Sequence, residues 1–438
     1  MIQLERDLSM VLGKWKNDPG RKPLILKGAR QVGKSWLARE LGKTFDNFVE
    51  INFERKSEAC AFFDGNIEPA GIIKNISNYF GVKITPGATL LFLDEIQECP
   101  KAIMALRYFY EDLPQLHVIS AGSLLEFELQ NINVPVGRVN FIYVYPLSFS
   151  EYLTVSGKHN LRTMLLENKF KPVPEPIHKL LNEEVRNYVL LGGMPEVIAD
   201  FLEFGQFDRS RDIQTDLLET YRSDFQKYAK KHQVKYLHKV FESIPLQLGD
   251  KFKYTNVSED IKSRELGDAL DMLQMAGIAY KVYHSSANGI PLKAESDIKK
   301  FKVLFFDAGL TQQLLQLDYR PFLLNPDFSR VNNGAIAELF TGLELIAYRN
   351  YKEKADIFYW HREAKSSNAE VDYITTLAGK IVPVEVKSST TGGMKSLRTF
   401  MQIKNRNFAI KVSGFNFSLF DCVQSVPFYA LESLVKGN

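Results

Sequence analysis

Residues 28–35 read GARQVGKS and residues 90–97 read LLFLDEIQ. The first stretch fits G-x-x-x-x-G-K-[S/T], a loop whose amide N–H groups wrap phosphate oxygens. The second is the apolar strand ending in Asp-Glu that such a loop needs as its partner. Pro23–Lys27 (PLILK) is a short apolar run, so a buried strand should feed the loop. Gly28 and Gly33 allow backbone angles that other residues resist. The expected nucleotide contacts are Gly28, Ala29, Arg30, Gln31, Val32, Gly33, Lys34 and Ser35. Lys34 would reach the β- and γ-phosphates of ATP, and the Ser35 hydroxyl would ligate Mg²⁺. Residues 35–41 (SWLAREL) then read as a helix whose N-terminus directs partial positive charge at the nucleotide. Asp94 sits where a carboxylate holds Mg²⁺ through its water shell. Glu95 is placed to polarise the attacking water as general base.

Outward from this pair of motifs, strands alternate with helical segments: 24–27, 48–53, 90–94, 116–121 and 140–145. That pattern predicts a parallel sheet flanked by helices. Ligands of such sheets bind at the carboxyl ends of the strands, where the loop, Asp94 and residues 120–123 fall. Ser123, or in second place Ser120, is a candidate γ-phosphate sensor; helix capping is the competing role. Arg138, just before the fifth strand, is a candidate arginine finger in the same chain or a neighbour's, against a plain surface role. Leu4, Leu8, Val11, Leu12 and Trp15 follow helical spacing ahead of the first strand. After the proline-rich stretch 171–176 (KPVPEP), helical sequence punctuated by Gly192-Gly193-Met194-Pro195 predicts a helical lid ending near 204.

Composition sets the outer bounds. The 438 residues suit two to four domains, and 45% hydrophobic with 24% charged residues describes a soluble globular chain. A net charge of +3 is too near balance to imply nucleic acid by itself. No apolar run approaches the ~18 residues that span a bilayer, and the N-terminus lacks a signal-peptide core. Cys60, Cys99 and Cys422 lie far apart, make no metal-ligand spacing and suit a reducing compartment. The cytoplasm, with no membrane association, is the expected location.

Between 205 and 325 the pattern changes. Lys227, Lys231, Lys235 and Lys239 recur every four residues, predicting a basic stripe on one helix with Leu237, Val240, Phe241 and Ile244 opposite. A second helix, with Ser263 as its candidate cap, carries Leu266, Leu270 and Leu273 and ends at Gly277. Two strands follow, IAYKVY and KVLFFD, around the polar loop SSANG. Helix, turn, helix, strand, wing, strand is the order of a winged helix. Its second helix exposes Glu265, Asp268 and Asp271, which phosphates would repel. The segment is therefore expected to be structural or protein-contacting, with Lys293, Lys299, Lys300 and Lys302 as part of a solvated basic face.

The region 326–438 holds a second charged constellation. Glu338 lies in a helical run, Asp372 in the strand-like AEVDYI, and Glu385 and Lys387 on one face of IVPVEVK. Twelve residues separate Asp372 from Glu385, enough for a hairpin that brings them together with Lys387 while Glu338 arrives from its helix. Two carboxylates and a lysine in a D…E-x-K order are the arrangement of many metal-dependent nucleases. In that role Asp372, Glu385 and Glu338 would hold Mg²⁺ and Lys387 would orient water. A strand with a surface salt bridge is the alternative.

These pieces together with SAGS (120–123), GR (137–138), PLSFSEY (146–152), LGGMPE (191–196) and AEVDY…VEVK resemble bacterial and archaeal AAA-type ATPases that carry a conserved C-terminal domain of unknown function. The resemblance runs nearly the whole length. It implies an α/β chain in three parts: a P-loop ATPase domain with helical lid (1–204), a winged-helix domain (205–325) and a restriction-endonuclease-like tail (326–438). It implies ATP and Mg²⁺ at Lys34, Ser35, Asp94 and Glu95. Three functions follow as expectations. The first is an ATPase switch acting on its C-terminal domains. The second is an ATP-licensed DNA nuclease working through the tail. The third is a non-enzymatic, nucleotide-stabilised module that binds a protein partner. Self-association is compatible with each.

Overall fold

The computed structural model describes residues 4–65, 68–128, 137–321, 333–362, 369–387 and 394–436. Five short strands, β1 (Leu24–Lys27), β2 (Asn47–Asn52), β3 (Thr89–Asp94), β4 (His117–Ala121) and β5 (Asn140–Tyr143), form a parallel sheet in the order β2-β3-β4-β1-β5. β1, β3 and β4 are buried along their whole length, which is why they read as continuous apolar runs. β4 lies between the loop strand β1 and the Asp-Glu strand β3, so both motifs end at the same edge of the sheet.

The second sheet has eight strands: β6 (Ala279–Ser285), β7 (Ser296–Phe305), β8 (Ile357–His361), β9 (Glu370–Leu377), β10 (Lys380–Lys387), β11 (Ala409–Ser413), β12 (Ser418–Phe420) and β13 (Val423–Pro427). Their order is β12-β13-β11-β10-β9-β8-β6-β7. β8, β9 and β10 form an antiparallel meander, and β11 joins β10 in parallel. The helices Asn333–Ala347 and Lys395–Ile403 accompany these strands.

This sheet revises the expected wing. β6 and β7 pair as an antiparallel hairpin, but β6 also pairs in parallel with β8. The hairpin is therefore two strands of the C-terminal sheet, and the expected boundary at 325/326 cuts between strands of one hydrogen-bonded unit. The basic stripe also divides. Lys227 ends the helix Phe207–Tyr228 and pairs with Glu54 at 2.7 Å, whereas Lys231, Lys235 and Lys239 belong to the separate helix Lys231–Leu246. The helix Ser263–Met275 begins without a side-chain cap, so Ser263 does not play that part.

One apolar core runs from Leu4, Leu26 and Ile119 through Phe225, Phe241 and Leu270 to Ile336, Val384 and Leu434. The two sheets are thus joined through packed side chains. Cys60 and Cys99 form a disulfide, against the expectation of unpaired thiols; the fold brings the 3₁₀ turn Ser57–Phe63 against the segment that follows Glu95. Cys422 is free and exposed. Among the described residues, no helix is long and apolar enough to cross a membrane.

Candidate functional site: a phosphate loop and a buried carboxylate cluster

The loop between β1 and the helix Lys34–Gly42 turns through three left-handed positions, Gly28 (φ 147°), Gln31 (φ 63°) and Gly33 (φ 95°). Gly28 has a second reason to lack a side chain, because a Cβ there would stand 2.1 Å from the Val144 carbonyl oxygen. The Lys34 ammonium donates to the carbonyls of Gly28 (3.0 Å) and Ala29 (2.7 Å). Burial pulls its pKa down to about 8, against the attraction of Glu95 and Asp94. A buried ammonium whose hydrogen bonds go to backbone carbonyls is ready for a stronger anion.

Ser35 Oγ donates to Asp94 at 3.1 Å from either carboxylate oxygen, and Asn52 Nδ2 donates to Oδ2 at 3.1 Å. Burial and then the neighbouring Glu95 charge raise the Asp94 pKa, so this pair lacks positive charge. The Ser35 and Asp94 oxygens therefore suit a hard cation. Glu95 sits in the left-handed region (φ 49°). Gln97 Nε2 donates to its Oε2 at 2.7 Å, and the Ser123 amide and hydroxyl lie 3.5 Å from the same oxygen. Ser120 instead donates to the Leu24 carbonyl within the sheet. Asn52 and Gln97 are site residues not picked out from the sequence, although both stand inside quoted strand motifs.

Arg138 lies elsewhere. β5 runs parallel to β1 with Asn140 beside Leu24, so Arg138 enters at the edge opposite the loop. The strand rise makes that separation roughly 20 Å. Its guanidinium pairs with Glu111 at 2.7 Å on the surface. It does not complete the nucleotide site within its own chain.

Behind the loop stands Arg6, a buried arginine that nothing in the sequence pattern marked. It donates to Glu151 Oε1 (2.9 Å), the Val32 carbonyl (3.0 Å) and the Tyr145 carbonyl (2.8 Å), tying the loop to PLSFSEY. The same motif receives the C-terminal region: both Glu344 carboxylate oxygens accept from the Phe149 amide at 3.1 Å, and Tyr348 OH bonds Ser150 Oγ at 2.8 Å. LGGMPE is the neighbouring half of this joint. A Cβ on Gly193 would meet the Leu147 carbonyl oxygen at 2.3 Å, and the Gly193 amide donates to Asp307 at 2.6 Å. The expected lid helices thus dock against the C-terminal sheet as well as the loop. His178 in the helix Glu175–Leu191, for example, bonds Tyr429 OH at 2.9 Å.

The tail constellation does assemble. The last register pair of β9 and β10 sets Val384 opposite Tyr373, which places Glu385 beside Asp372 and Lys387 beside Glu370 on one face. Asp372 Oδ2 accepts from the Val386 amide at 2.7 Å, and Lys387 pairs with Glu385 Oε1 at 2.6 Å. Lys302, expected on a solvated face, is instead 1% exposed. Its ammonium lies 2.8 Å from Glu338 and 2.7 Å from Glu370. Burial raises the Glu338 pKa to about 8 and, reinforced by Asp372, that of Glu385 to about 7. Glu385 Oε2 is buried and has no hydrogen-bond partner among the described residues. Among the described residues, no group of three or more His, Cys, Asp or Glu side chains is arranged to hold a metal ion. The expected trio is divided: Glu338 faces Lys302, leaving Asp372 and Glu385 as the carboxylate pair. Two carboxylates with water in the remaining positions suffice for Mg²⁺, so these residues fit one cation.

Among solved structures, the chain is similar to a Walker-type ATPase of Pyrococcus abyssi at 15% identity, over 72% of this chain and 96% of that one, with a TM-score of 0.46. It is also similar to the Aeropyrum pernix ORC1 protein in complex with DNA (14% identity, 72% and 91% covered, TM-score 0.28). AMPPCP-bound DnaA from Aquifex aeolicus is a third (14%, 61% and 89%, TM-score 0.28). No curated protein matches significantly. Residues 20–153 match the AAA domain family, residues 182–320 a domain of unknown function (DUF8612) and residues 333–431 another (DUF4143). With the phosphate loop and the Asp94–Glu95 pair inside the first match, the chain carries an AAA-type P-loop domain and a C-terminal DUF4143 domain.

Proposed function

We propose that the chain is a Mg²⁺-dependent ATPase in which bound nucleotide acts as a switch on the segments from residue 205 onward. The observation that carries this reading is the contact between the loop and those segments. Arg30 pairs with Asp224 at 3.1 Å, its carbonyl accepts from Tyr221 OH at 2.5 Å, and a Cβ on Gly277 would stand 3.0 Å from the Ala29 amide. A ligand that reorders the loop amides therefore presses directly on two helices. Lys34 and the loop amides bind the phosphates, and Glu95, steadied by Gln97 and Ser123, takes the proton of the attacking water. Ser35 and Asp94 would hold Mg²⁺, which supplies positive charge at the β- and γ-phosphates. The cytoplasm, where ATP is abundant, is the compartment this activity needs.

Hydrogen exchange across residues 207–305, with and without a non-hydrolysable ATP analogue, tests the switch. Protection should change in the wild type and not in Lys34→Ala. Identical exchange with and without nucleotide would leave ATP as a structural ligand and favour the partner-binding module.

The carboxylate cluster favours a second reading, an ATP-licensed nuclease. Helix, three-stranded meander, helix and parallel strand is an order compatible with a restriction-endonuclease-like domain. Asp372 and Glu385 would hold a divalent cation there, with Lys387 beside it. Plasmid nicking with Mn²⁺ and ATP, lost in Asp372→Asn/Glu385→Gln while ATP turnover persists, is the expected result. No cleavage of DNA or RNA under these conditions would discard this reading and leave the switch intact.

A further inference from the structure

β7 belongs to the segment matched by one family and β8–β10 to the segment matched by another. The charged cluster nevertheless draws on both. Glu338, Glu370, Asp372 and Glu385 converge and, among the described residues, two ammonium groups contact them, Lys302 and Lys387. Lys302 reaches two of the carboxylates from β7, across the ring of Tyr359 at 5.4 Å. If all four acids are ionised, two negative charges remain. Lys387 balances Glu385 and Lys302 balances one of Glu338 and Glu370, so one charge lies on Asp372, beside the Glu385 oxygen that has no partner among the described residues, and the other is shared between Glu338 and Glu370. One divalent cation balances that remainder; a second would face carboxylates already taken by Lys302.

We infer that Lys302 is a positioning residue of the tail site: it occupies Glu338 and Glu370 and thereby limits the site to one divalent cation, at Asp372 and Glu385. The inference rests on the cation-binding part of the nuclease reading, and it makes the site a composite of two segments. The DUF4143 segment alone lacks the lysine that contacts two of its four acids. Lys302 acts through its carboxylates and touches no reacting atom.

Calorimetric titration of the nucleotide-free, full-length chain with Mn²⁺ tests this. The wild type should take one ion that Asp372→Asn/Glu385→Gln loses. Lys302→Met removes a positive charge from a desolvated cluster. It should bind Mn²⁺ at least about tenfold more tightly, or admit a second ion at Glu338 and Glu370. Lys302→Arg keeps the charge and should keep a stoichiometry of one. Undiminished ATP binding verifies that each variant is folded. If Lys302→Met does not fold, Glu370→Gln provides a test of opposite sign: it frees part of the Lys302 charge and should weaken Mn²⁺ binding about tenfold. Unchanged or weaker binding in folded Lys302→Met, unchanged binding in Glu370→Gln, or a wild type that binds no ion at Asp372 and Glu385 overturns the assignment. One-ion binding without any nicking would defeat the nuclease reading and leave this inference standing.

Discussion

At the phosphate loop, one buried lysine faces backbone carbonyls with Asp94 and Glu95 nearby; in the C-terminal sheet, two lysines already hold three of four carboxylates. The loop is drawn from residues close in sequence, 28–35, with 94–97 and Ser123 delivered by adjacent strands. The cluster is drawn from β7, one helix, β9 and β10, spread over 85 residues from Lys302 to Lys387. The difference is one of compensation. The first site presents a buried ammonium and a hydroxyl–carboxylate pair that, in the proposed function, ATP and Mg²⁺ would engage together. The second is half neutralised by its own chain, and one divalent cation would balance the rest.

The largest effects should come from breaking the first site. Lys34→Ala removes the charged partner of the phosphates and should weaken ATP binding about a hundredfold or more in a calorimetric titration. Glu95→Gln keeps Asp94 and Ser35 in place. It should bind ATP normally while turnover falls by about two to three orders of magnitude. Wild-type turnover in Glu95→Gln would remove the general-base assignment and, with it, the contrast between a reactive site and a neutralised one.

Legibility followed the same division. GARQVGKS and LLFLDEIQ could be read because both chemistry and spacing are local, and three of the five parallel strands are runs buried on both faces. The D…E-x-K residues were readable for the same reason, a two-residue period on one hairpin. Lys302 was not. Its strand reads as the second half of a wing, and a lysine in KKFKVLFF looks solvated until β6 pairs with β8 and closes a helix over it. Arg6 was equally silent, since its partners Val32, Tyr145 and Glu151 are distant in sequence. PLSFSEY and LGGMPE stood out as motifs without a reason. The reason is packing between regions, where amides of one segment meet buried acids of another.

That joint supplies the next prediction, on stability. Burial raises the Glu344 pKa from 4.5 to about 8, even though the Phe149 amide and Tyr188 hydroxyl donate to it. The folded chain therefore keeps a proton that the unfolded chain releases. The associated stability is complete below pH 4.5, declines as pH rises towards 8 and changes no further above it. The whole swing is about 5 kcal/mol at most, and Asp307, raised to about 6, adds in the same direction. The melting temperature of the nucleotide-free chain should be lower at pH 8 than at pH 5.5, and Glu344→Gln should flatten that slope. An identical slope in the variant would show that the joint does not titrate. The charge contrast would then lie between the two sites alone.

A smaller effect tests whether the regions communicate. Gly277 has φ 75° and packs on the loop at Ala29. Gly277→Ala adds left-handed strain of about 1–2 kcal/mol and crowds the Ala29 amide. ATP affinity should fall several-fold, up to about tenfold, although the substituted residue is not itself a nucleotide contact. Unchanged affinity would make the loop indifferent to the helix behind it and deprive the switch of its most direct route.

The smallest expected effect is that of Arg138→Ala. The guanidinium sits at the strand-entry edge, roughly 20 Å from the loop by strand rise, and its pair with Glu111 is a surface one. Such pairs contribute about 0–1 kcal/mol, so melting temperature and dilute-solution turnover should stay close to wild type, within about twofold. Concentration supplies the second axis. If a neighbouring chain offers Arg138 to this loop, wild-type turnover rises with protein concentration, the Arg138→Ala curve stays flat, and mixing Arg138→Ala with Lys34→Ala restores part of the activity. If turnover is independent of concentration, the first site is complete within one chain, and both charged sites then answer to residues of their own polypeptide. A collapse of Arg138→Ala turnover at high dilution would contradict the strand register itself, because no side chain spans that edge-to-edge distance.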